Sequence, residues 1–524
     1  MRSIFFFFLI KKNNIYINIC LNSLFLKDET SIYILKNNKL KFIKEIKNQI
    51  HKYIYIYIMS KMLPKKSLNC NVIFPMVYGS AGLKKPVVSK NIIYYLKDQK
   101  DSIIKTADNI GILDVGIDKL LPIEDSPSAS AVSDLKPVVN DTETSVILKT
   151  LAFPLNPSDK NQIDGVYGTY SKKISTDDSP KPFSVAGNEG LYQIHSFVDS
   201  KGSAISVPED FNLRIGDFVV PRINNSGTWC TFKTIKLDQL VSKDKKTITD
   251  YLKISAVDTN YNGTARGFGI LEAATAAVNG CTALWFKTEF EKLARKDFNK
   301  TNTKDYYCLA NAGNSQVAKL FTQIVKNDHS KENGDFNLKT VSIVRERETP
   351  EETEAFISNL KEKTHTDFVI TETQNQDREF KKEFQKLVDF ENSNVIMGIN
   401  AVGGTSARGL ESKLSNGGTV FTYGGMSLKG ITASTTAFIF RNIKYLGLWI
   451  TQKFKEDPKL KAKLLLKLRG LYNEGKLKLD PEDYKVIVWN VKTDSDEKIL
   501  KKIKAGLELK GKKPIVFVKH ERAL

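Results

Sequence analysis

The segment Asp305–Lys326, DYYCLANAGNSQVAKLFTQIVK, decides the fold predicted for the second half of the chain. An apolar run of strand length, Tyr306–Ala310, is followed by a turn of small residues and then by apolar residues at helical spacing. A strand, a tight turn and a helix N-terminus together present free backbone N–H groups and the positive end of the helix dipole. This arrangement predicts an anion site of the kind that dinucleotide folds use for a pyrophosphate. The glycine pattern is weak, because Gln316 and Ala318 stand where glycines would help, so an ordinary βα turn is the alternative.

The next predicted strand, Thr340–Val344, ends in Arg345-Glu346-Arg347. At the tip of this strand an NAD site carries an acidic residue for the ribose hydroxyls, whereas a 2′-phosphate is bound by arginine. One exposed arginine at a strand end would mean little. Two arginines flanking the tip, after a small-residue turn, favour NADP over NAD.

Strand and helix patterns then alternate, which predicts a doubly wound parallel sheet. Its further predicted strands are Asp367–Thr371, Val395–Val402 and Thr419–Tyr423, and its further predicted helices begin at Pro350, Arg378 and after Gly404. Before this half, short strands with turn signals from about Ser145 onward indicate a β-rich, partly closed domain, followed by a helix over Gly269–Phe286. The chain closes with a β-α-β pattern in the style of that first domain. We therefore predict an α/β protein with domains at 91–295, 296–460 and 461–524, the last returning to the first.

Composition limits the classes of protein to consider. The 524 residues carry a formal net charge of +20, which favours acidic partners unless it reflects lysine-rich sequence bias. The five cysteines are scattered and form no Cys-x-x-Cys pair, which predicts free thiols in a reducing compartment and no structural zinc. No apolar run approaches about 18 residues, so no transmembrane helix is expected.

Residues 1–90 form a biased basic segment, interpreted as a targeting sequence or as a non-native extension. No acidic residue occurs between Glu45 and Asp98, as in organelle transit peptides, although the arginines typical of these are lacking. The alternation YIYIYI at Tyr53–Ile58 resembles a strand without a partner. Import into the mitochondrial matrix is the favoured interpretation.

From about Val146 to Lys519 the chain resembles the mitochondrial trans-2-enoyl thioester reductases of the medium-chain dehydrogenase/reductase superfamily. The resemblance rests on an ordered set of motifs: NPSDKNQIDGVYG (156–168), AGNEG (186–190), GTW (227–229), VNGCT (278–282), NAGNS (311–315), RER (345–347), TYGGMS (422–427) and LGLWIT (446–451). It implies a GroES-like β-rich catalytic domain interrupted by a Rossmann domain, with the active site in the cleft between them. It also implies NADPH as cofactor, enoyl thioesters of acyl carrier protein or CoA as substrates, a homodimer and a role in mitochondrial fatty-acid synthesis.

Zinc is not expected at the active site. The zinc members of the superfamily carry histidine where Asn188 stands and cysteine near Asn156, where this chain has none. Hydrogen bonds must then polarise the thioester carbonyl. Reduction needs a hydride at the β-carbon and a proton at the α-carbon, the first from the cofactor and the second from a protein acid.

The resemblance implies a role for each candidate site residue. Tyr167 matches the family's proposed acid, although an isolated tyrosine between Gly165 and Gly168 would be read as a turn-packing aromatic. Trp449 matches a residue beside the substrate. The positions matching cofactor contacts are Asn279, Asn314, Ser315, Val317, Arg345, Arg347, Tyr423, Gly425, Met426, Trp449 and Lys513.

Two alternatives remain open from the sequence. A zinc-free NADPH quinone oxidoreductase would share the fold and the cofactor but would not need Tyr167. A nucleic-acid-binding protein on a decayed dehydrogenase fold would use the net positive charge. The basic residues are spread along the chain without interleaved aromatics, so no stable nucleic-acid complex is expected.

Overall fold

The computed structural model describes residues 6–12, 15–21, 88–94, 110–116, 144–169, 183–200, 204–206, 211–241, 248–254, 267–328 and 336–520. The chain divides into two compact units, Met1–Pro75 and Met76–Leu524. In the first, two strands pair as an antiparallel hairpin. The alternating stretch Tyr53–Ile58 lies outside the described residues. The second unit contains the three other sheets and all the described helices.

The strands in chain order are β1 (Phe6–Lys12), β2 (Ile15–Leu21), β3 (Val88–Tyr94), β4 (Ile110–Gly116), β5 (Ser145–Pro154), β6 (Ser184–Val185), β7 (Leu191–Val198), β8 (Phe218–Pro221), β9 (Phe232–Lys236), β10 (Tyr251–Ile254), β11 (Asp305–Ala310), β12 (Asn337–Val344), β13 (Phe368–Thr371), β14 (Ser393–Asn400), β15 (Thr419–Thr422), β16 (Lys444–Gly447), β17 (Tyr484–Asn490) and β18 (Lys513–Lys519). The α-helices are α1 (Pro157–Ile163), α2 (Ile270–Thr275), α3 (Cys281–Thr301), α4 (Gln316–Asn327), α5 (Pro350–Thr364), α6 (Glu372–Gln376), α7 (Phe380–Leu387), α8 (Gly404–Lys413), α9 (Thr435–Arg441), α10 (Ile450–Glu456), α11 (Leu460–Asn473) and α12 (Asp496–Leu507).

The predicted doubly wound sheet is present. Six parallel strands lie in the order β13-β12-β11-β14-β15-β16, with β11 at the centre where the strand order reverses. Side chains of β11 alternate between two buried apolar clusters: Tyr306 and Cys308 belong to one, Tyr307 and Leu309 to the other. Because both faces of the sheet are covered, its strands are continuous apolar runs in the sequence and do not alternate between apolar and polar residues.

The β-rich part contains a second sheet, ordered β10-β8-β7-β5-β18-β17, with β9 also paired to β5. The closing strand β18 lies antiparallel to β5, where Val516 faces Phe153, and β17 lies parallel to β18. The end of the chain thus completes a sheet begun more than 350 residues earlier. A small third sheet, β4-β3-β6, adjoins through β3, whose Asn91 forms a bridge with Cys230.

Some elements differ from their predicted form. The helix expected over Gly269–Phe286 contains a π-helical turn at Ala276–Gly280 and continues to Thr301. The strand expected to reach Val402 ends at Asn400, because Asn400 turns its side chain to accept hydrogen bonds from the backbone of Val402 and Gly403. The short strands β10 and β16 were not predicted, since four residues each give little periodicity.

No helix in the described ranges is long and apolar enough to cross a membrane.

Candidate active site

The turn between β11 and α4 lies against the end of β12. Gly313 donates its N–H to the carbonyl of Ile343 at 2.8 Å, and a Cβ at Gly313 would stand 2.7 Å from the Cβ of Ser342. Only glycine permits that approach. Ser315 caps α4 by accepting the N–H of Ala318, which leaves the remaining first-turn N–H groups directed at the turn. Asn314 is half-buried in the turn and Val317 is buried in the first helical turn.

Arg345 and Arg347 lie at the tip of β12, as predicted. The Arg347 guanidinium stacks on the ring of Phe356 at 3.6 Å and donates to the carbonyl of Arg345 at 2.9 Å. Burial and the neighbouring Arg345 charge lower the pKa of Arg347. No carboxylate pairs with either guanidinium in the part of the chain that the structure describes. Two adjacent cations of this kind can bind a phosphate dianion.

Tyr423 directly follows β15 and is joined to the turn after β11. Burial raises the pKa of the Tyr423 phenol to about 12, and a hydrogen bond with Ser315 opposes that rise. The backbone N–H of Met426 donates to the carbonyl of Ala401 at 2.9 Å, which folds the Gly425 turn over the end of β14. Gly425 and the Met426 side chain are exposed. Ser315, Arg345 and Tyr423 thus all follow carboxyl ends of parallel strands, the edge at which α/β sheets bind ligands.

The structure brings Tyr167 and Trp449 together. Tyr167 lies in the loop after α1, where its N–H and that of Val166 both donate to the carbonyl of Asn161. Trp449 follows β16 and caps α10. Burial raises the pKa of Tyr167, the nearby Asp159 charge raises it further, and a hydrogen bond from Trp449 opposes the rise. The phenol is therefore protonated at neutral pH. Lys455 places its ammonium 5.2 Å from the centre of the Trp449 ring.

Beneath Tyr167 lies a buried polar cluster. Asp159 is 1% exposed and accepts the N–H of Asn156 at 2.7 Å, closing the first turn of α1. Its other oxygen accepts the backbone and side-chain N–H groups of Asn188 at 2.9 and 2.6 Å. Burial raises the pKa of Asp159 to about 7, against the effect of these hydrogen bonds. Asn188 therefore donates hydrogen bonds to Asp159 in the first turn of α1.

Glu189 links this cluster to the predicted cofactor residues. It is 1% exposed and accepts the Asn156 side chain at 3.0 Å and the N–H of Val278 at 2.8 Å. Asn279, the next residue, is buried in the π-helical turn. Lys513 donates to the side-chain oxygen of Asn156, and its charge counteracts the rise that burial causes in the pKa of Glu189. Burial lowers the pKa of Lys513 itself.

A second set of hydrogen bonds fixes the segment that carries Trp449. Asn224 donates to the Thr451 hydroxyl at 3.1 Å, and Lys461 donates to the Asn224 side chain at 3.0 Å and the Pro221 carbonyl at 2.7 Å. Arg222 adds a bond to the carbonyl of Pro458 at 2.8 Å. Lys461 is 1% exposed, and burial lowers its pKa to about 8. The loop after β8 thus holds both ends of α10.

The departure from the glycine pattern at Gln316 has a structural explanation. Its side chain donates to Asp483 at 3.1 Å and accepts from the Tyr484 hydroxyl at 3.3 Å, while Lys319 one turn later pairs with Asp483. These bonds attach α4 to the returning C-terminal segment, which a glycine could not do.

Several residues of the site are not singled out by sequence reasoning. Asp159, Gln162 and Glu189 lie inside the motifs NPSDKNQIDGVYG and AGNEG, so the motifs were the available signal. Lys461 has no such signal, because it lies in a helix whose other lysines face solvent. Among the described residues, no group of three or more histidine, cysteine, aspartate or glutamate side chains is placed to hold a metal ion.

A parallel sheet with arginines at its second strand tip, joined to a β-rich domain that the chain re-enters at its end, is the architecture of the medium-chain dehydrogenases and reductases. No protein-family model matches the chain. The mitochondrial enoyl-[acyl-carrier-protein] reductase of Kluyveromyces lactis is 36% identical over 397 residues, covering 76% of this chain and 91% of that protein. By this similarity the chain belongs to the family of mitochondrial enoyl-[acyl-carrier-protein] reductases.

Two further comparisons bear on function. The NADPH quinone oxidoreductase of Kluyveromyces marxianus is 35% identical over 378 residues, covering 72% of this chain and 87% of that protein. A solved complex of Etr1p with NADP and crotonyl-CoA has a TM-score of 0.62 at 29% identity, covering 82% of this chain and all of the solved one. That complex has both a nicotinamide cofactor and an enoyl thioester bound.

Proposed function

We propose that this chain is a mitochondrial NADPH-dependent enoyl thioester reductase, converting trans-2-enoyl thioesters into saturated acyl thioesters for fatty-acid synthesis. The observation that carries the proposal is the proximity of the Tyr167 phenol to Trp449, which lies two residues after the sixth parallel strand. The carboxyl end of that strand lies at the same edge of the sheet as the arginine pair. An acid next to the cofactor edge is what reduction of a polarised double bond requires.

The chain's own residues divide the work as follows. NADPH, when bound, supplies the hydride for the β-carbon. Tyr167 holds the proton for the α-carbon, and burial keeps that proton in place at neutral pH. Trp449 lies beside the phenol and acts to lower its pKa, against the effect of burial. The buried Asp159 and Asn188 support the helix that carries the tyrosine loop.

The residues present fit NADPH. Gly313 allows the backbone turn to approach a ligand closely, Ser315 and Asn314 at the helix N-terminus would hold the pyrophosphate, and Arg345 with Arg347 would donate hydrogen bonds to the 2′-phosphate. The other proposed cofactor contacts are Asn279, Val317, Tyr423, Gly425, Met426, Trp449 and Lys513. Glu189 connects Lys513 and Asn279: it accepts the N–H of Val278, the residue before Asn279, and the charge of Lys513 acts to lower its pKa.

The substrate carrier is acyl carrier protein or CoA. An acidic carrier protein would be attracted by the net charge of +20 and by the exposed face of α11. That face forms a groove lined by Lys463, Leu466, Lys467, Gly470, Leu471 and Glu474, in which Lys467 is paired with Asp328 at 2.8 Å. Leu466 is 59% exposed, so the groove offers an apolar contact between two lysines.

The assembly is a homodimer in this proposal. Among the described residues, the edge strand β16 pairs on one side only, and apolar side chains beside it are exposed: Phe438, Ile439, Phe440 and Leu446. An uncovered apolar patch next to an unpaired strand favours pairing with a second copy. Sedimentation at several concentrations tests this, and a monomer at all of them would refute it.

A quinone reductase is the second candidate, favoured by the Kluyveromyces marxianus relative. The deciding experiment follows NADPH oxidation by the purified chain with crotonyl-CoA and, separately, with a quinone. We expect at least tenfold higher kcat/KM for the thioester, with butyryl-CoA as product. Turnover of the quinone alone would make the second candidate correct. A gel-shift assay across salt concentrations addresses the nucleic-acid alternative, for which we expect no stable complex.

A further inference from the structure

The loop that carries Tyr167 is closed by one buried amide. Gln162, in the last turn of α1, is 1% exposed. Its side-chain nitrogen donates to the carbonyl of Thr169 at 3.2 Å, across the loop from the helix end. The loop therefore leaves α1 before Tyr167 and is bound back to α1 two residues after it.

Two neighbouring loops hold that amide in place. The Gln162 nitrogen also donates to the Asn225 side chain at 3.0 Å, and the Gln162 oxygen accepts from Asn188 at 3.0 Å. Asn188 is in turn bonded to Asp159 on the preceding turn of α1. Both the donor and the acceptor of Gln162 are satisfied in a buried site, which gives its side chain one orientation.

The loop between these bonds contains two exposed glycines. Gly165 has φ +73°, a Cβ at Gly168 would meet no atom within 4 Å, and Val166 is 69% exposed. The backbone bonds from Val166 and Tyr167 to Asn161 fix the start of the loop. The bond from Gln162 to Thr169 fixes its end, on the far side of Tyr167.

We propose that Gln162 is a positioning residue for Tyr167, holding the loop so that the phenol meets Trp449 in the orientation that delivers a proton. The inference rests on the proposed reductase function. Gln162 acts through Tyr167 and has no role in holding the cofactor. Displacement of a reacting group by about 1 Å can cost roughly 100-fold in rate.

A double-mutant cycle tests this role, because two residues that act through one hydroxyl are not additive. The four proteins are the unaltered chain, Gln162→Met, Tyr167→Phe and the double variant, assayed with NADPH and crotonyl-CoA. We expect Gln162→Met to lower kcat about tenfold or more when Tyr167 is present and less than twofold in the Tyr167→Phe background. The KM for NADPH should stay within twofold throughout. An equal loss in both backgrounds would overturn the inference, since a merely structural role does not depend on the hydroxyl.

Two further variants keep the test decisive. Asn225→Ala removes one acceptor of the Gln162 side chain, and Asn225 itself is only half-buried. We expect this variant to lower kcat several-fold, again only when Tyr167 is present. It gives the test a result even if Gln162→Met does not fold. Gln193→Met is the matched control, because it deletes an amide that donates to a loop carbonyl, that of Gly216, away from Tyr167. It should leave kcat unchanged. If the unaltered chain does not reduce crotonyl-CoA at all, the proposed function fails and this inference with it. Normal activity with an additive cycle overturns the inference alone.

Discussion

Trp449 lies close enough to Tyr167 to act on the pKa of its phenol, so the loop after α1 meets the segment that follows the sixth parallel strand. The two residues are 282 positions apart in the sequence. Their proximity brings the proposed proton donor to the edge of the parallel sheet at which the proposed cofactor residues lie.

Removal of the Tyr167 hydroxyl should therefore reduce turnover. Tyr167→Phe keeps the ring and its packing, and general acid catalysis contributes about 10²–10⁴-fold, so kcat for crotonyl-CoA should fall within that range. The KM for NADPH should be unchanged. Tyr472→Phe is the matched control, because the buried Tyr472 hydroxyl has no hydrogen-bond partner among the described residues. Undiminished turnover of Tyr167→Phe would favour the quinone reductase instead.

The arginine pair should determine cofactor preference. Charge-assisted bonds to a phosphate contribute about 1.5–3 kcal/mol each, less where the groups are exposed, as Arg345 is. The double change Arg345→Ala, Arg347→Ala should raise the KM for NADPH roughly 10–100-fold and leave that for NADH within about twofold. The control removes two exposed lysines elsewhere, Lys485→Ala with Lys501→Ala. Equal losses with both cofactors would assign the arginines a structural role.

The sequence predicts those parts of the fold that are specified by residues close together in the chain. The β11–α4 unit follows from an apolar run, a small-residue turn and helical spacing within 22 residues, and the arginines at the tip of β12 follow from the next run. Lys461 could not be predicted in the same way. Its neighbours on α11 are exposed lysines, and its partner Pro221 is 240 residues away in sequence. Burial of one lysine among many is decided by tertiary packing, which periodicity does not report.

The same distinction applies to the active site. The motif around Tyr167 identifies the proposed acid, whereas the contacts of Asp159 with Asn188 join turns that are 29 residues apart. Polar residues in turn motifs are ordinarily expected at the surface, and here several are fully buried because they satisfy one another. The sequence shows that they are present but not that they are partners.

The hydrogen bonds around Asn224 should affect substrate binding through Trp449. Thr451→Val is nearly isosteric and leaves the buried Asn224 nitrogen without the acceptor that it has at 3.1 Å. Such a loss costs about 1–3 kcal/mol of unfolding free energy. Because Thr451 follows Trp449 closely, the KM for crotonyl-CoA should rise more than that for NADPH. Thr288→Val, which removes a bond only within its own helix, is the control. An unchanged KM for crotonyl-CoA would show that the hydrogen bonds around Asn224 do not affect substrate binding.

Salt should distinguish the two carriers. Attraction between exposed charges is screened over about 8–10 Å at ordinary ionic strength. If an acidic carrier protein docks on the lysines of α11, kcat/KM for carrier-bound substrate should fall more steeply with salt than that for crotonyl-CoA. The pair Lys463→Ala, Lys467→Ala should remove the excess dependence, whereas Lys485→Ala with Lys501→Ala should not. Parallel salt curves for the two substrates would refute docking by charge.

The last prediction concerns the pH dependence of stability through Asp159. Burial raises the pKa of this carboxyl to about 7 from its ordinary value of 3.8, so between about pH 4 and 7 the folded chain retains a proton that the unfolded chain releases. Proton binding then favours the folded state, and the contribution of Asp159 to stability decreases as the pH rises through this window. Asp159→Asn abolishes the titration. The unfolding free energy of Asp159→Asn minus that of the unaltered chain should therefore increase by up to about 1.4 kcal/mol for each unit by which the pH rises through this window.

Urea unfolding of both proteins at pH steps from 4 to 8 measures this difference. Asp305→Asn is the control, because the pKa of its carboxyl is shifted in the opposite direction. Partial burial opposes the effect, but hydrogen bonds from Lys339 and Asn337 hold the pKa of Asp305 below its ordinary value. Its stabilising contribution is present above about pH 4 and is lost as the pH falls below that value, so the Asp305→Asn difference should be flat across the window. A flat difference for Asp159→Asn as well would mean that the Asp159 carboxylate is ionised throughout. The hydrogen bonds from Asn156 and Asn188 would then outweigh its burial, and the cluster beneath Tyr167 would carry a fixed negative charge.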